Sequence, residues 1–366
     1  MTRGAGEDNG MRHCSQCNRR RRALLKGGAA VLGALAGAPA MHAIAQTAAS
    51  APASLNVGLI RNPVAGIITL TQQHGWFRDA GLNLNSSLFA GAAGPKIIQA
   101  MGGGSVEMSS VSATAMLLAL AARAVPLKIV SVSTDPAPVF ALLAAPEIET
   151  MAQLAGKRVA TPAGTGLQYF LVRALAKHGM TLKDIDYVNL TAADAQSAFL
   201  AKRVEAIVPS LNGRYYIQGF RKDTRELFTH EAFTAPPGPT QPFVNFDVFV
   251  APQSVVESNP AGIRAFLAAY HGKGVPYLKS PATQDAAITN ITTYVNTEQK
   301  SPTDESAMRQ QLLKSGFFDV GQARALLTSP AFRAGLEDQV RFLMESGQLK
   351  STLSLDGVIV PGLLGA

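Results

Sequence analysis

A strand, a glycine-rich turn and a helix follow one another directly within residues 158–170, RVATPAGTGLQYF. The β-type run breaks at Pro162, the turn contains Gly164 and Gly166, and the apolar-periodic segment that follows ends at Gly179. A helix that begins there presents unpaired backbone N–H groups and a partial positive charge, which suit an anion or a polar ligand head. The alternative interpretation is an ordinary βα turn, in which the glycines only relieve crowding.

The same alternation of short apolar strands and helical segments runs along the chain from Leu55 onward. It predicts an α/β fold with a largely parallel sheet. Two proline-rich interruptions, at residues 133–138 and 236–243, predict two α/β lobes joined by a hinge that the chain crosses twice. We expect the first lobe, with a C-terminal helical layer, over residues 46–135 and 240–366, and the second lobe over residues 136–239.

Most of the positive charge lies in a leader segment at the start of the chain. Seven bases and two acids fall within the first 45 residues, so the formal net charge of +8 leaves +3 for the remainder. That charge argues against a nucleic-acid partner. Arg21 and Arg22 precede a mild Gly/Ala/Leu stretch, in an arrangement that resembles a twin-arginine export signal. We expect a signal peptide over residues 1–45, cleaved near Ala45, and a periplasmic mature protein without a membrane anchor.

The residue types that enzymes and metal sites need are sparse or badly spaced. Cys14 and Cys17 have no second ligand pair for zinc and precede the expected cleavage point. The histidines beyond the leader are dispersed, and the chain has no Gly-x-Ser-x-Gly elbow and no Walker lysine. The turn at Gly164 and Gly166 also lacks the third glycine of a dinucleotide motif. We expect no catalytic residues, no metal and no cofactor.

Several segments, in a fixed order, carry a family resemblance over nearly the whole mature chain. They are HGWFRDAGLNLN from His74, AGPKIIQAMGGGSVEMSSVSATAMLLALAA from Ala93, LAGKRVATPAGTGLQYFLVRALAKHGM from Leu154 and LTAADAQSAFLAKRVEAIV from Leu190. Together they resemble the nitrate/sulfonate/taurine-type (NMT1/THI5-like) family of periplasmic substrate-binding proteins of ABC importers. The resemblance implies a type II periplasmic-binding-protein-like fold, whose two lobes close on a ligand held between them.

The resemblance also implies an ABC permease of the inner membrane as the partner, and we expect the chain to act as a monomer. One departure from the family bears on the ligand. Where the sulfonate-binding branch usually has a Trp-acid-Pro stretch, this chain reads PSLNG from Pro209. The cleft would then lose an aromatic wall and a carboxylate, so an organic acid, including an aromatic one, fits as well as taurine or an alkanesulfonate.

The loops that follow the predicted strands supply the candidate binding residues, because ligands of open α/β sheets lie beyond the carboxyl ends of the strands. From the first lobe they are Arg61, Asn62, Ser110, Ser112, Thr114 and, on the returning strand, Asp247. From the second lobe they are Thr161, Gly164, Thr165, Gly166, Gln168, Asn212 and Arg214. Facing helix starts at Ser112 and Thr165 would clamp an oxyanion without a side-chain cation. Alternatively, some of these hydroxyls only cap their helices.

The three charged candidates each have a second interpretation. A guanidinium at Arg61 or Arg214 would grip a carboxylate or sulfonate with two hydrogen bonds, whereas loop arginines are commonly just solvated. Asp247 would accept a hydrogen bond from the ligand, lock the hinge, or pair with a neighbouring base. The function expected from the sequence is capture of a small anionic organic solute for an ABC importer. The alternatives are a ligand-sensing partner of a membrane receptor and an enzyme on the same scaffold.

Overall fold

Ten strands and fourteen helices make up the part of the chain that the computed structural model describes, which is residues 52–89, 93–209, 211–235, 243–298 and 303–365. The expected signal peptide, its cleavage near Ala45, and Cys14 and Cys17 lie outside the described residues and stay predictions. In chain order the strands are β1 Ala53–Ile60, β2 Leu82–Phe89, β3 Met108–Ser112, β4 Leu127–Thr134, β5 Ala141–Ala144, β6 Arg158–Thr161, β7 Asp186–Asn189, β8 Ala206–Ile207, β9 Arg225–Thr229 and β10 Asp247–Pro252.

The helices cover the sheets and form a C-terminal layer. They are α1 Pro63–Gln73, α2 Trp76–Asp79, α3 Ala93–Gly102, α4 Ala113–Ala121, α5 Gly166–Lys177, α6 Ala192–Leu200, α7 Leu211–Phe220, α8 Gln253–Ser258, α9 Pro260–Ala269, α10 Val275–Lys279, α11 Gln284–Thr297, α12 Glu305–Lys314, α13 Val320–Leu327 and α14 Pro330–Glu345. Within the described residues, none of them combines the length and the apolar character that a bilayer span requires.

Helix α1 shows how local sequence produces one of these elements. Asn62 has extended backbone geometry, and its Oδ1 accepts the N–H of Ala65 at 3.1 Å, which satisfies one of the free donors at the helix start. Pro63 occupies the first helical position, where a missing N–H costs nothing. Ile67 and the neighbouring apolar side chains are buried. The helix is therefore fixed with its N-terminus at the end of β1.

The strands form two five-stranded sheets with equivalent topologies. The first sheet has the order β2-β1-β3-β10-β4 and the second has the order β7-β6-β8-β5-β9. In the first, β10 runs antiparallel to both of its neighbours, and in the second β5 does the same. The remaining strands of each sheet share one direction, so the carboxyl ends of β1, β3, β6 and β7 carry their loops to a common edge of each sheet.

The two reversed strands are the ones that the chain uses to pass between the sheets. It leaves the first sheet after β4 and enters the second with β5, and it returns to the first sheet with β10. The predicted α/β class, with two lobes and a hinge of two crossings, is confirmed. Each sheet is mixed: four of its strands share one direction, as expected of a largely parallel sheet, and one strand is inverted. The lobe limits at 46–135, 136–239 and 240–366 stay predictions.

An aromatic cluster around Phe170 anchors both crossings. Phe140, just before β5, packs on the Phe170 ring with centroids 5.7 Å apart. Phe243, just before β10, packs on the same ring with centroids 5.4 Å apart. Edge-to-face contacts of this kind add about 0.5–1.5 kcal/mol each beyond the burial of area. Helix α5, which follows the glycine-rich turn, is thereby held against the hinge.

Candidate ligand-binding cleft

A cavity of about 1050 Å³ lies where the strand ends of the two sheets face each other. Its described lining comes from both lobes and from the C-terminal segment. From the first lobe come Ile60, Asn62, Gly94, Pro95, Ile98, Gln99, Gly102, Val111, Ser112, Ala115, Leu118, Ala119, Ala124, Val125 and Asp247; the second lobe supplies Pro162, Ala163, Gly164, Thr165, Asn189, Leu190 and Thr191, and the C-terminal segment supplies Gln348.

Four helix N-caps are among the lining residues, two from each lobe. Each uses its side-chain oxygen to accept an N–H of the first helical turn. Asn62 caps α1 at 3.1 Å, Ser112 caps α4 at 3.2 Å, Thr165 caps α5 at 3.5 Å and Thr191 caps α6 at 3.2 Å. Convergent helix N-termini concentrate partial positive charge and outward-pointing N–H groups, so the cleft suits an oxyanion.

The glycine-rich turn is held in shape by Gln168. The Oε1 atom of Gln168 accepts the N–H of Gly164 at 2.8 Å and also accepts the Nε2–H of Gln348 at 2.8 Å. Gly164 has a φ of +70°, and a Cβ there would lie 2.8 Å from Gln348 and 3.0 Å from Leu118. The turn therefore requires glycine for both its backbone conformation and its close approach to first-lobe and C-terminal groups.

Gly166 needs to be glycine for a different reason. A Cβ at this position would lie 2.6 Å from both Nδ2 and Oδ1 of Asn245, which belongs to the second hinge crossing. Asn245 is buried, and its Oδ1 has no hydrogen-bond partner among the described residues. The first turn of α5 is thus seated directly on the hinge.

Asp247 reaches the cavity because β10 is antiparallel to β3. Its Cα partner across the strands is Ser112, so the start of β10 lies at the same sheet edge as the end of β3. Burial and the nearby Asp135 raise the pKa of the Asp247 carboxyl from 3.8 to about 7. Burial likewise raises the pKa of Asp135 to about 6, although that carboxylate accepts the N–H of Ala137 at 3.0 Å.

Five of the thirteen residues predicted from the sequence line the cavity, namely Asn62, Ser112, Gly164, Thr165 and Asp247. Five others lie behind this lining, where they support it. Ser110 shares a hydrogen bond with Ser133 at 2.6 Å, and Thr114 donates one to Gln339 at 2.9 Å. Thr161 is buried, and its hydroxyl has no hydrogen-bond partner among the described residues. Gly166 lies against Asn245, and Gln168 holds the glycine-rich turn.

Neither of the two predicted arginines belongs to the described cavity lining. Arg61 has an exposed side chain and is not part of the cavity lining. Arg214 lies on helix α7, not in the predicted loop, and its guanidinium donates to Glu226 at 2.6 and 2.9 Å and to the carbonyl of Val139. That pairing corrects its assignment as a ligand clamp. Asn212 also falls in α7, and its side chain lies outside the described part of the structure.

Four polar lining residues were not among the sequence candidates. Asn189 is the last residue of β7 and Thr191 follows this strand closely, so the strand-end rule applies to both. Gln99 lies within α3, and Gln348 follows α14, far from any predicted strand end. No sequence signal marks these two. Within the described residues, no group of three or more histidine, cysteine or acidic side chains is placed to hold a metal ion.

A cleft between two α/β lobes that are joined by two crossings defines a two-lobed, periplasmic-binding-protein-like fold. The periplasmic aliphatic sulphonate binding protein SsuA from Escherichia coli has a similar structure, with a TM-score of 0.67 and 20% identity. The alignment covers 84% of this chain and 92% of that one. The sequence narrows the class further. The chain belongs to the NMT1/THI5-like family, whose model matches residues 62–282.

Two relatives illustrate the sequence similarity. One relative, from Escherichia coli strain K12, is named as an aliphatic sulfonates-binding protein. It is 30% identical over 177 residues, which are 47% of this chain and 54% of that protein. A protein from Brucella abortus strain 2308, named as a binding protein, is 26% identical over 203 residues, which are 55% of this chain and 60% of that protein. The matched region therefore spans less than two thirds of either relative, and both names describe binding and not catalysis.

Proposed function

We propose that this chain is the exported solute-binding component of an ABC importer, which captures a small organic solute with an oxyanion head between its two lobes. The observation that carries the proposal is the convergence of four capped helix N-termini, two from each lobe, on one cavity. A sulfonate or carboxylate would be held there by N–H groups and hydroxyls. Delivery to an inner-membrane permease, action as a monomer and a periplasmic location belong to the same proposal.

The cavity dimensions support an organic solute over a bare inorganic anion. Its volume of about 1050 Å³ matches the upper end of the range of roughly 300–1,000 Å³ for small-molecule sites. Apolar side chains, including Ile98, Val111 and Leu118, make up much of the lining. They would enclose an aliphatic or aromatic body, which gives the solute both a polar head and an apolar part.

A ligand screen on the mature chain tests the proposal. We expect an alkanesulfonate, an aromatic sulfonate or a carboxylate to raise the thermal midpoint. A ligand at a hundredfold excess over its Kd adds about 2.7 kcal/mol to the free energy of unfolding. Isothermal calorimetry on the hits should give one site per chain. Absence of stabilisation by every sulfonate and carboxylate tested would refute the proposal.

A variant that introduces a negative charge locates the site. Thr165→Glu places a carboxylate where the oxyanion is expected, so it should abolish binding while leaving the circular dichroism spectrum unchanged. The matched control is Ser329→Glu, at a half-buried N-cap of α14 outside the cavity lining. Unchanged affinity in Thr165→Glu would remove the turn from the binding site.

A further inference from the structure

Each of the two hinge crossings carries a carboxyl group, and the two carboxyls are neighbours. Asp135 directly follows β4, where the chain leaves the first sheet, and Asp247 is the first residue of β10, where the chain returns to it. The strand register pairs Asp247 with Thr134, the residue before Asp135. Both acidic side chains are half-buried. The hinge therefore brings two acidic groups together beside the cavity that Asp247 lines.

No cation balances this carboxyl pair within the described part of the chain. The charged group that acts on Asp247 is Asp135, which has the same sign. The Asp135 carboxylate accepts the N–H of Ala137 at 3.0 Å, whereas none of the hydrogen bonds among the described residues reaches the Asp247 carboxyl. A hinge lock or a structural ion pair would require a donor or a cation at Asp247.

The other groups around Asp247 carry no charge near neutral pH. From β3 the residue opposite is Ser112. Behind β10, the Tyr270 hydroxyl donates to the carbonyl of Ser133 at 3.2 Å, and burial followed by Asp247 raises the pKa of that tyrosine. Burial lowers the pKa of the adjacent His271 to about 4, which keeps its ring neutral. The rest of the described cavity lining has no ionisable side chain.

Two adjacent carboxyls without a cation hold a proton at pH values where a solvated carboxyl has lost it. Burial and Asp135 raise the pKa of Asp247 to about 7. Burial raises the pKa of Asp135 to about 6. The pair therefore gains or loses a proton close to neutral pH.

The expected oxyanion site lies next to this pair. Ser112 caps helix α4, and the same residue is the Cα partner of Asp247 across β3 and β10. Directly opposed residues in antiparallel strands have Cα atoms about 4.5–5.5 Å apart. An oxyanion at the N-terminus of α4 would therefore lie beside the Asp247 carboxyl. An ionised carboxylate there repels the solute, whereas a protonated carboxyl can donate a hydrogen bond to it.

We propose that the carboxyl pair of Asp135 and Asp247 couples solute capture to the uptake of one proton. The inference rests on the proposed function and adds its regulation: the cleft holds the oxyanion while Asp247 is protonated, and loss of that proton releases it. The solute brings one negative charge and the proton taken from solvent neutralises another. The net charge of the cleft is therefore the same before and after binding.

Calorimetry over a range of pH tests the coupling in the mature wild-type chain. The probes are ethanesulfonate, benzenesulfonate and benzoate, whose own charge stays constant from about pH 6 to about pH 9. Because only the fraction with protonated Asp247 binds, Kd should rise by about 10-fold from pH 6 to pH 8 and by about 10-fold again to pH 9. At about pH 8, titrations in buffers of different ionisation enthalpy should show uptake of about one proton per bound solute.

Two substitutions separate the roles of the two carboxyls. Asp247→Asn keeps the shape of the side chain but cannot ionise, so Kd should become independent of pH and the proton uptake should vanish. Asp135→Asn removes the repulsion, and its amide oxygen can still accept the Ala137 N–H, so the rise in Kd should begin at lower pH. The control is Asp304→Asn, at the N-cap of α12 outside the cavity lining, which should keep the wild-type pH profile.

The outcomes distinguish this inference from the proposed function. If a probe binds the wild type with the same Kd from about pH 6 to about pH 9, the oxyanion site stands and the proton coupling is overturned. A pH dependence that persists in Asp247→Asn also overturns it, because the titrating group then lies elsewhere. An unshifted profile in Asp135→Asn would overturn the role of the pair. If no sulfonate or carboxylate binds at any pH, the proposed function is refuted and this inference with it.

Discussion

Gln348 donates a hydrogen bond from its Nε2 to the Oε1 of Gln168 at 2.8 Å, although 180 residues separate the two side chains. The same oxygen accepts the N–H of Gly164 at 2.8 Å. The segment after α14 therefore helps to set the conformation of the glycine-rich turn. Because Gln348 also lines the cavity, it links the C-terminal layer directly to the candidate site.

Gln348→Ala should weaken ligand binding without unfolding the protein. The variant removes one hydrogen bond from Gln168 and a polar group from the lining, and a bond of this kind contributes about 0.5–1.5 kcal/mol. We expect Kd to rise by about 2-fold to 10-fold in calorimetry. Gln253→Ala, an exposed residue on α8 that pairs with Glu257, should leave Kd unchanged. An unaltered Kd in Gln348→Ala would show that Gln168 holds the turn alone.

Gly166→Ala should lower the free energy of unfolding by about 1–3 kcal/mol, because the new methyl group would overlap the side chain of Asn245. Urea titration measures the loss, and the double variant with Asn245→Ala should recover part of it. Gly219→Ala is the control, since its Cβ would meet nothing within 4 Å and helical alanine is favoured over glycine by about 0.5–1 kcal/mol. Equal effects at the two glycines would contradict the close contact.

Tyr169→Phe should lower the free energy of unfolding by about 1 kcal/mol, because the Tyr169 hydroxyl donates to Asp338 and links α5 to α14. The loss of stability should stay modest, because the Asp338 carboxylate keeps its ion pairs with Arg341 at 2.8 Å and Arg173 at 3.7 Å. Urea unfolding gives the value. Tyr277→Phe is the comparison, because no described residue bonds to its hydroxyl. A larger loss in Tyr277→Phe than in Tyr169→Phe would refute the interpretation.

The stability of the protein should depend on pH through Asp247. Burial and the adjacent Asp135 raise the pKa of Asp247 from 3.8 to about 7, so the folded chain binds this proton more tightly than the unfolded chain does. The contribution of the Asp247 carboxyl to the free energy of unfolding is present below about pH 4 and is lost as the pH rises to about 7. Asp135, whose pKa is raised to about 6, acts in the same direction.

Asp247→Asn isolates that contribution, because asparagine stays neutral at every pH. The variant's free energy of unfolding, minus that of the wild type, should increase from pH 4 to pH 7 and then level off. Tyr270 also faces this carboxyl, and its raised pKa, caused first by burial and then by Asp247, keeps it neutral over the range. A difference that does not change with pH would show that Asp247 titrates normally.

Several features of the site could be predicted from local sequence because they depend on neighbouring residues. Asn62, Ser112 and Thr165 each precede an apolar-periodic segment, so their capping roles and their positions after strands follow from spacing. The alternation of strands and helices likewise determined the α/β class. These signals come from residues that are close in sequence, within one or two helical turns of one another. They are local because the backbone hydrogen bonds at the start of each helix are satisfied over that distance.

Only the tertiary structure decided which long-range partners meet. The guanidinium of Arg214 could bind a carboxylate or sulfonate, but it is hydrogen-bonded to Glu226 on β9. Strand β9 itself has no strong sequence signal. Asp247 faces the cavity because β10 is inserted antiparallel between β3 and β4. Gln348 reaches Gln168 through the packing of the C-terminal layer. Such pairings depend on how separate elements bury their apolar faces against one another. The local sequence periodicity specifies each element, but it does not specify which elements pack together.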